Sequence, residues 1–338
     1  MNKKDMIVIG ASAGGVEALK ILVSSLPENF PATIFLVLHV SPHGYSVLPQ
    51  ILSRVGRLSA IHAKDGLAIQ PGRIYIAPPD HHLLIKSGYM ELSRGAKENG
   101  HRPSVDPLFR SAARSYNGRV IGVILSGVLD DGSAGLMAVT MRRGTGVVQH
   151  PEDAMYNGMP LNALQHVPDA HVVPIAEMGA LLMELVQQDA PLAEPTTSDL
   201  PETETRFAEL DMETIEHDDH PGKPASLACP ECGGTLWEIE EGELMRYRCR
   251  VGHAYTAQSL LAEQTDALED AFWAAFRALE ESADLAQRMA DRAKARGHQH
   301  SVEHFEERAK TAKDRAELIR TVLLKGVNFS NLDSGLTA

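Results

Sequence analysis

Residues 8–19 read VIGASAGGVEAL. An apolar run closes on a glycine turn, the turn holds Ser12, and a helix-like pattern follows. A turn of this kind cradles a phosphate or presents a nucleophile, and the choice decides what the chain does. Gly10-Ala-Ser12-Ala-Gly14-Gly15 approaches the dinucleotide pattern G-x-G-x-x-G, with Ser12 where the second glycine belongs. That glycine lets a pyrophosphate reach the backbone, so a side chain there obstructs it. The pattern also asks for an acid about twenty residues later, at the end of the second strand, to hold a ribose. The second apolar run, 32–40, ends around His39 instead.

The same residues satisfy G-x-S-x-G, the pattern of a strand-to-helix nucleophile turn. The helix after it aims unpaired N–H groups at the hydroxyl, and the N–H of Ala13 is the nearest candidate to stabilise an oxyanion. A serine hydroxyl needs a base within hydrogen-bond reach. His39 supplies one if the first two strands are parallel neighbours, because Ser12 and His39 then emerge at one sheet edge. The third group, which orients the imidazole, is Asp131, in the glycine-flanked turn after the apolar run 119–127. The order Ser, His, Asp differs from the α/β-hydrolase order Ser, Asp, His. His43 competes with His39 as base, and Asp130 with Asp131 as the acid; the glycine register favours Asp131. His81, His82 and His101 are read as surface or cleft residues. Arg102 and Arg110 are read as solvated or structural, unless they meet acidic groups of a substrate. On these residues alone, a nucleotide binder and a purely structural turn stand beside a serine hydrolase.

Around the turn, residues 5–186 alternate strand-like and helix-like segments. Strands are expected over 6–10, 32–40, 72–79, 119–127 and 145–150, with a hairpin over 82–93. Helices are expected over 14–27, 104–117, 133–144 and 175–188. Fully apolar strands between helices predict an α/β fold, a doubly wound and mostly parallel sheet covered on both faces. Residues 191–220 hold ten Asp/Glu and one Arg, so they carry −9 of the net charge of −13. The domain reading is therefore 1–188 for the α/β domain, 189–224 for an acidic flexible linker, 225–255 for a small cysteine module and 256–328 for a helical hairpin.

In the hairpin, Leu268, Phe272, Ala275, Leu279, Ser282, Ala286, Met289 and Ala293 step by four and three. After Gly297 the pattern resumes with Val302, Phe305, Ala309, Ala312, Ala316, Ile319 and Leu323. Two alanine-rich seams predict coiled-coil-like helices that pair with each other or offer a surface to a dimer mate or partner helix.

The totals narrow the function classes. The chain of 338 residues is 43% hydrophobic and 23% charged, as soluble globular proteins are. Its acidic balance argues against a nucleic-acid partner. No segment approaches the roughly 20 apolar residues that span a bilayer, and MNKKDMIVIG lacks a signal-peptide core. The chain is read as cytoplasmic.

The three cysteines fall in one short window. Cys229-Pro-Glu-Cys232 is followed by two glycines, and sixteen residues separate Cys232 from Cys249-Arg-Val-Gly-His253. This C-x2-C…C-x3-H set offers four ligands suited to tetrahedral, structural Zn2+. Reduced cysteines in a small core, or a redox pair, are the other readings.

Six stretches taken in order carry a resemblance: IGASAGGVEAL (9–19), LVLHVSPHG (36–44), GRIYIAPPDHHLLI (72–85), HRPSVDPLFRSAA (101–113), VIGVILSGVLDDGSAGLMAV (120–139) and YNGMPLNAL (156–164). Together they resemble the catalytic domain of the chemotaxis protein-glutamate methylesterase family, the CheB domain. The resemblance implies that the family's catalytic residues fall on Ser12, His39 and Asp131, with backbone oxyanion donors at Ala13 and Val128. It implies hydrolysis of glutamate γ-methyl esters on chemoreceptor-type helices, release of methanol, deamidation of certain glutamines, and no cofactor for the chemistry. Membrane contact would come only through the receptor, and the hairpin would meet a histidine kinase or another two-component partner. The family often has Thr where Ala13 stands. Its regulatory form carries an N-terminal receiver domain. Here the strand before Ser12 begins at residue 6, so the expectation is a chain without a receiver and without control by its own phosphorylation. The C-terminal extension would then take the regulatory role or direct the enzyme elsewhere. A catalytically quiet scaffold of a two-component system and a metabolite carboxylesterase with the same triad are the alternatives.

Overall fold

The computed structural model describes residues 3–44, 46–191, 222–241 and 244–325, so most of the expected acidic linker lies outside the described residues. The chain divides into two units, Met1–Leu260 and Leu261–Ala338. The first begins with β1 (Met6–Ala11), α1 (Gly15–Ser25), β2 (Thr33–Leu38), α2 (Leu48–Val55), β3 (Ser59–His62) and β4 (Arg73–Ile76). A hairpin of β5 (His82–Lys86) and β6 (Tyr89–Ser93) precedes α3 (Val105–Tyr116). Then follow β7 (Val120–Ile124), α4 (Ser133–Met141), β8 (Thr145–Gln149), α5 (Gly158–His166), β9 (His171–Val173) and α6 (Ile175–Leu185).

Seven strands form one sheet in the order β3-β4-β2-β1-β7-β8-β9, and every neighbouring pair is parallel. β1 and β2 are buried at every position, as strands between two helical layers must be. Ile7 and Ile9 face a core shared with Leu19 and Leu22 of α1, Leu52 of α2 and Leu182 of α6. Met6 and Val8 face the opposite core, with Phe109 of α3, Leu136 of α4 and Met159 of α5. The expected doubly wound α/β fold is present. β3, β9, α2 and α5 are additions to it. β3 and β9 are short edge strands with partly exposed side chains, which leaves no apolar run to read.

The topology also places a crevice. The chain leaves β1 for β2 on one side and later returns to β7 on the other. Ligand crevices in open α/β sheets form at the carboxyl ends of strands where the order reverses in this way.

The first unit continues through β10 (Lys223–Ala228), β11 (Thr235–Glu241), β12 (Leu244–Cys249) and β13 (Ala254–Thr256), an antiparallel sheet in that order. Its small core joins Leu236, Tyr255 and Leu260 to Cys229 and Cys249.

Two long helices, α7 (Ala257–Ala295) and α8 (Gln299–Lys325), account for the described part of the second unit. Gly297 takes φ 72°, and His298 N–H returns to the Ala293 carbonyl at 3.0 Å, closing α7. Val302, Ala309, Ala312 and Ala316 are buried on α8. On α7 the buried stripe is Ala283, Ala286, Ala290 and Ala293. Met289, placed in the seam by the heptad reading, is 41% exposed. The buried stripe keeps Ala286 and Ala293 of the expected seam and takes Ala283 and Ala290 in place of Ser282 and Met289. No helix among the described residues is long and apolar enough to cross a membrane.

Candidate active site

The sheet register brings Ser12 and His39 together. β1 and β2 pair up to Ala11 opposite Leu38, so Ser12 and His39 are each one residue beyond the ladder. His39 N–H still donates to the Ala11 carbonyl at 3.2 Å, and Ser12 N–H to Ser126 beyond β7 at 3.0 Å. His39 Nδ1 lies 3.1 Å from Ser12 Oγ, and Nε2 lies 2.7 Å from Asp131 Oδ2. The carboxylate holds the imidazole proton on Nε2, which leaves Nδ1 free to accept from the Ser12 hydroxyl. The structure thus joins Ser12, His39 and Asp131 in one hydrogen-bonded chain.

Two glycines let the turn that holds Ser12 meet the loop after β7. Gly14 caps α1 with φ 72°, and a Cβ there would meet Ser126 Oγ at 2.7 Å and Met155 Cβ at 2.8 Å. At Gly127 a Cβ would lie 2.9 Å from the Ser12 Cβ. The loops after β1 and β7 can close on each other only without those side chains. Among the described residues, neither Ala13 N–H nor Val128 N–H has a protein acceptor, as oxyanion donors require.

Asp131 is the most elaborately held group of the site. Besides His39, it accepts from Ser104 Oγ at 2.8 Å, Asn99 Nδ2 at 2.8 Å and the Val105 N–H at 2.7 Å. The last of these is the N-terminus of α3, whose partial positive charge favours an anion. Burial alone would push the Asp131 carboxyl up, but the His39 hydrogen bond and charge, with Val105 N–H, hold it well below the usual carboxylate range. Asp106, the residue after Val105 in α3, moves the other way. Burial first, and then the charge of Asp131, push it up to about 7. Its Oδ1 accepts from the N–H groups of Gly132 and Gly135, bracing the turn that presents Asp131.

The competing residues fall elsewhere. His43 is exposed. Asp130 is turned away from His39 and accepts from Thr256 Oγ1 and Ser259 Oγ. His82 is buried beneath the loop before α3, with Nε2 3.0 Å from the Ala96 carbonyl. His81 lies 3.0 Å from the Pro79 carbonyl through Nδ1. Arg102 donates from two of its nitrogens to one Asp80 oxygen, Oδ1, and Arg110 is buried on Glu98. Both arginines are therefore structural.

His101 belongs to the site. Its ring stacks on His39 with centroids 3.8 Å apart, and burial together with the nearby His39 lowers it to about 4, which keeps it neutral at physiological pH. Asn99, Ser104 and Asp106 were not singled out from sequence. The one available signal was Ser104-Val-Asp106 ahead of an apolar helical pattern, a helix start with polar groups to offer.

Cys229, Cys232, Cys249 and His253 converge in the module, with all four ligand atoms within 4.8 Å of one another. Cys232 and Cys249 sulfurs are 3.6 Å apart, and His253 Nδ1 is 3.7 Å from Cys229 Sγ and 3.5 Å from Cys249 Sγ. A tetrahedral zinc with Zn–S of about 2.3 Å sets sulfurs about 3.8 Å apart. The donor set and its spacing fit a metal ion.

Comparison with known proteins agrees with this geometry. The family model described as CheB methylesterase matches residues 7–182. A Thermotoga maritima protein named protein-glutamate methylesterase/protein-glutamine glutaminase is 35% identical over 185 residues, 54% of this chain and 54% of that protein. A Myxococcus xanthus protein named protein-glutamate methylesterase/protein-glutamine glutaminase 5 is 37% identical over 189 residues, again 54% of each. The match thus spans about half the length of these relatives. A Leptospira interrogans relative is 34% identical over 186 residues, which cover 96% of its length. The crystal structure of the T. maritima CheB methylesterase catalytic domain superposes with a TM-score of 0.53 and 34% identity, covering 55% of this chain and 100% of that domain. The sheet, its register and these matches agree, and the chain belongs to the CheB methylesterase family.

Proposed function

We propose that the chain is a serine hydrolase that removes the γ-methyl ester from glutamate side chains of a chemoreceptor-type protein, in a chemotaxis or chemotaxis-like pathway. The observation that carries this reading is the chain of hydrogen bonds Ser12–His39–Asp131 at the crevice of the sheet. Ser12 Oγ attacks the ester carbonyl while His39 Nδ1 takes its proton. The oxyanion that forms is met by the N–H groups of Ala13 and Val128. His39, now charged and stabilised by Asp131, returns the proton to departing methanol. Water, activated by the same imidazole, then releases glutamate and restores Ser12. A glutamine side chain would react in the same way and lose ammonia, as the relatives' names suggest. The chemistry needs no cofactor.

Exposed Val128, Met155 and Tyr156 border the serine and give an apolar bed for the substrate segment. The Cys229, Cys232, Cys249 and His253 set holds Zn2+ in this reading, and the ion cross-links the module without taking part in hydrolysis. Exposed Leu261, Trp273, Leu285 and Leu318 of the second unit would receive a receptor or two-component partner. The reading keeps the enzyme in the cytoplasm, where cysteines stay reduced.

A fluorophosphonate probe separates an esterase from a quiet scaffold. The account expects stoichiometric labelling of wild type and none of Ser12→Ala. An unlabelled wild type, or equal labelling of both, refutes it.

A further inference from the structure

The segment around Asn99 lies between the catalytic carboxylate and the Cys/His module. On the module side it pairs in parallel with β13: Ala254 N–H donates to the Lys97 carbonyl at 3.2 Å, and Asn99 N–H to the Ala254 carbonyl at 2.7 Å. On the catalytic side, Asn99 Nδ2 donates to Asp131 Oδ1 at 2.8 Å and to Asp106 Oδ2 at 3.0 Å. Its amide oxygen accepts from Thr256 N–H at 3.0 Å. The two ends of an amide are not interchangeable. With the oxygen held by Thr256 N–H, both Nδ2 hydrogens fall on carboxylates. Turned over, the oxygen would face the charged Asp131 carboxylate and the NH2 group would face the Thr256 N–H. The module therefore determines which end of Asn99 meets Asp131.

Two further ties bind the module to the same region. Asp130, next to Asp131, accepts from Thr256 Oγ1 at 2.8 Å and Ser259 Oγ at 2.7 Å. Glu98, 1% exposed, pairs with Arg110 of α3 at 2.8 Å and with Arg248 and Arg246 of β12 at 3.3 and 3.5 Å. The catalytic sheet and the module thus share one buried ion cluster. β13 begins one residue after His253, a member of the four-ligand set.

We propose that Asn99 is a positioning residue for the Asp131 carboxylate, held in its donating orientation by β13, and that metal loading of the Cys/His cluster thereby sets the rate at which Ser12 is acylated. The proposal rests on the triad reading above. Without the metal cross-link, the strand that holds Thr256 N–H against Asn99 is free to move. Asn99 then loses its orienting donor, Asp131 loses one of the hydrogen bonds that fix it, and His39 loses a fixed acceptor. Backbone pairing carries the effect, so no group of the module takes part in proton transfer.

The test uses the full chain loaded with zinc. Three quantities are read: the rate of fluorophosphonate labelling, bound metal by elemental analysis, and the downfield proton resonance of the His39 Nε2–H bonded to Asp131. Asn99→Ala is expected to retain its metal, shift that resonance and label about 10- to 100-fold more slowly, the size of one hydrogen bond to a charged group. Stripping metal with a chelator should slow wild type by a similar factor, and added Zn2+ should restore it. Stripping should leave Asn99→Ala no slower than before, because both changes act through one contact. A metal-free wild type that labels at the full rate, equal slowing of both chains by the chelator, or an unmoved resonance in Asn99→Ala overturns the proposal. Should Asn99→Ala fail to fold, Cys232→Ser decides: Cys232 is the exposed member of the four-ligand set, so the variant should lose bound metal, slow labelling by a similar factor and shift the resonance, with added Zn2+ restoring neither. A metal-free Cys232→Ser that labels at the full rate with an unmoved resonance overturns the proposal. An unlabelled wild type refutes the triad reading itself, a result distinct from a labelled wild type indifferent to metal and Asn99.

Discussion

At the scale of single residues, the site separates two neighbouring carboxylates into opposite roles. Asp131 is wrapped in donors and stays charged. Asp106, equally buried, receives fewer donors beside that charge and is pushed up to about 7. The two have opposite linkage to folding. For Asp106, the unfolded chain titrates near 3.8, so between about pH 4 and 7 the folded protein holds a proton that the unfolded chain has lost. Its contribution therefore falls as pH rises through that window. Asp131, depressed in the fold, contributes stability that is present above its ordinary value and lost only as pH falls through the folded one. Asp106→Asn keeps an oxygen for Gly132 and Gly135, and should flatten the decline in urea-unfolding free energy across about pH 5 to 7. An unchanged slope would contradict this assignment. Ser12, His39 and Asp131 were each legible in sequence, because each follows an apolar strand and glycine marks two of the three turns. Asn99 and Ser104 were not, and His101 was read only as a surface or cleft residue. They come from the loop before α3, and only the fold carries that loop to the catalytic edge.

At the scale of elements, the register of β1 against β2 and β7 does most of the positioning. One residue beyond their ladder, β1 and β2 release Ser12 and His39 into the same crevice, and the loop after β7 brings Asp131 to them. The glycine turn then allows the loops to meet. Gly14→Ala would force a Cβ against Ser126 and Met155 at φ 72°, and should displace Ala13 N–H from the forming oxyanion. The expected cost is about 100-fold in labelling rate, as for loss of one oxyanion donor. Gly66→Ala is the control. It also has positive φ, 68°, but its Cβ would meet nothing within 4 Å. It should lower stability and leave labelling unchanged; equal losses in both variants would show that backbone strain alone is at work. The long central strands and their helices were readable because burial on both faces makes them continuously apolar. β3 and β9, short edges with exposed positions, lacked that signal. The seam of α7 was placed but shifted, since Ala283 and Ala290 carry little hydrophobic weight in a sequence.

At the scale of the whole molecule, the family match ends at residue 182 while the first unit runs to Leu260. What the extra residues add is visible in their contacts, since Glu98, Asn99 and Asp130 of the matched region all bond to the module. This joining could not be read from sequence, where an acidic stretch separates the two parts and suggests independence. A chain cut after the matched region would expose a buried ion cluster beside Asp131, so the full chain is the form to assay. The most direct measurement of the central claim is methanol released from membranes bearing a methylated chemoreceptor, with wild type and Ser12→Ala compared. The account predicts methanol from wild type and none above background from Ser12→Ala. No methanol from wild type on any methylated receptor, or equal release by both chains, would contradict it.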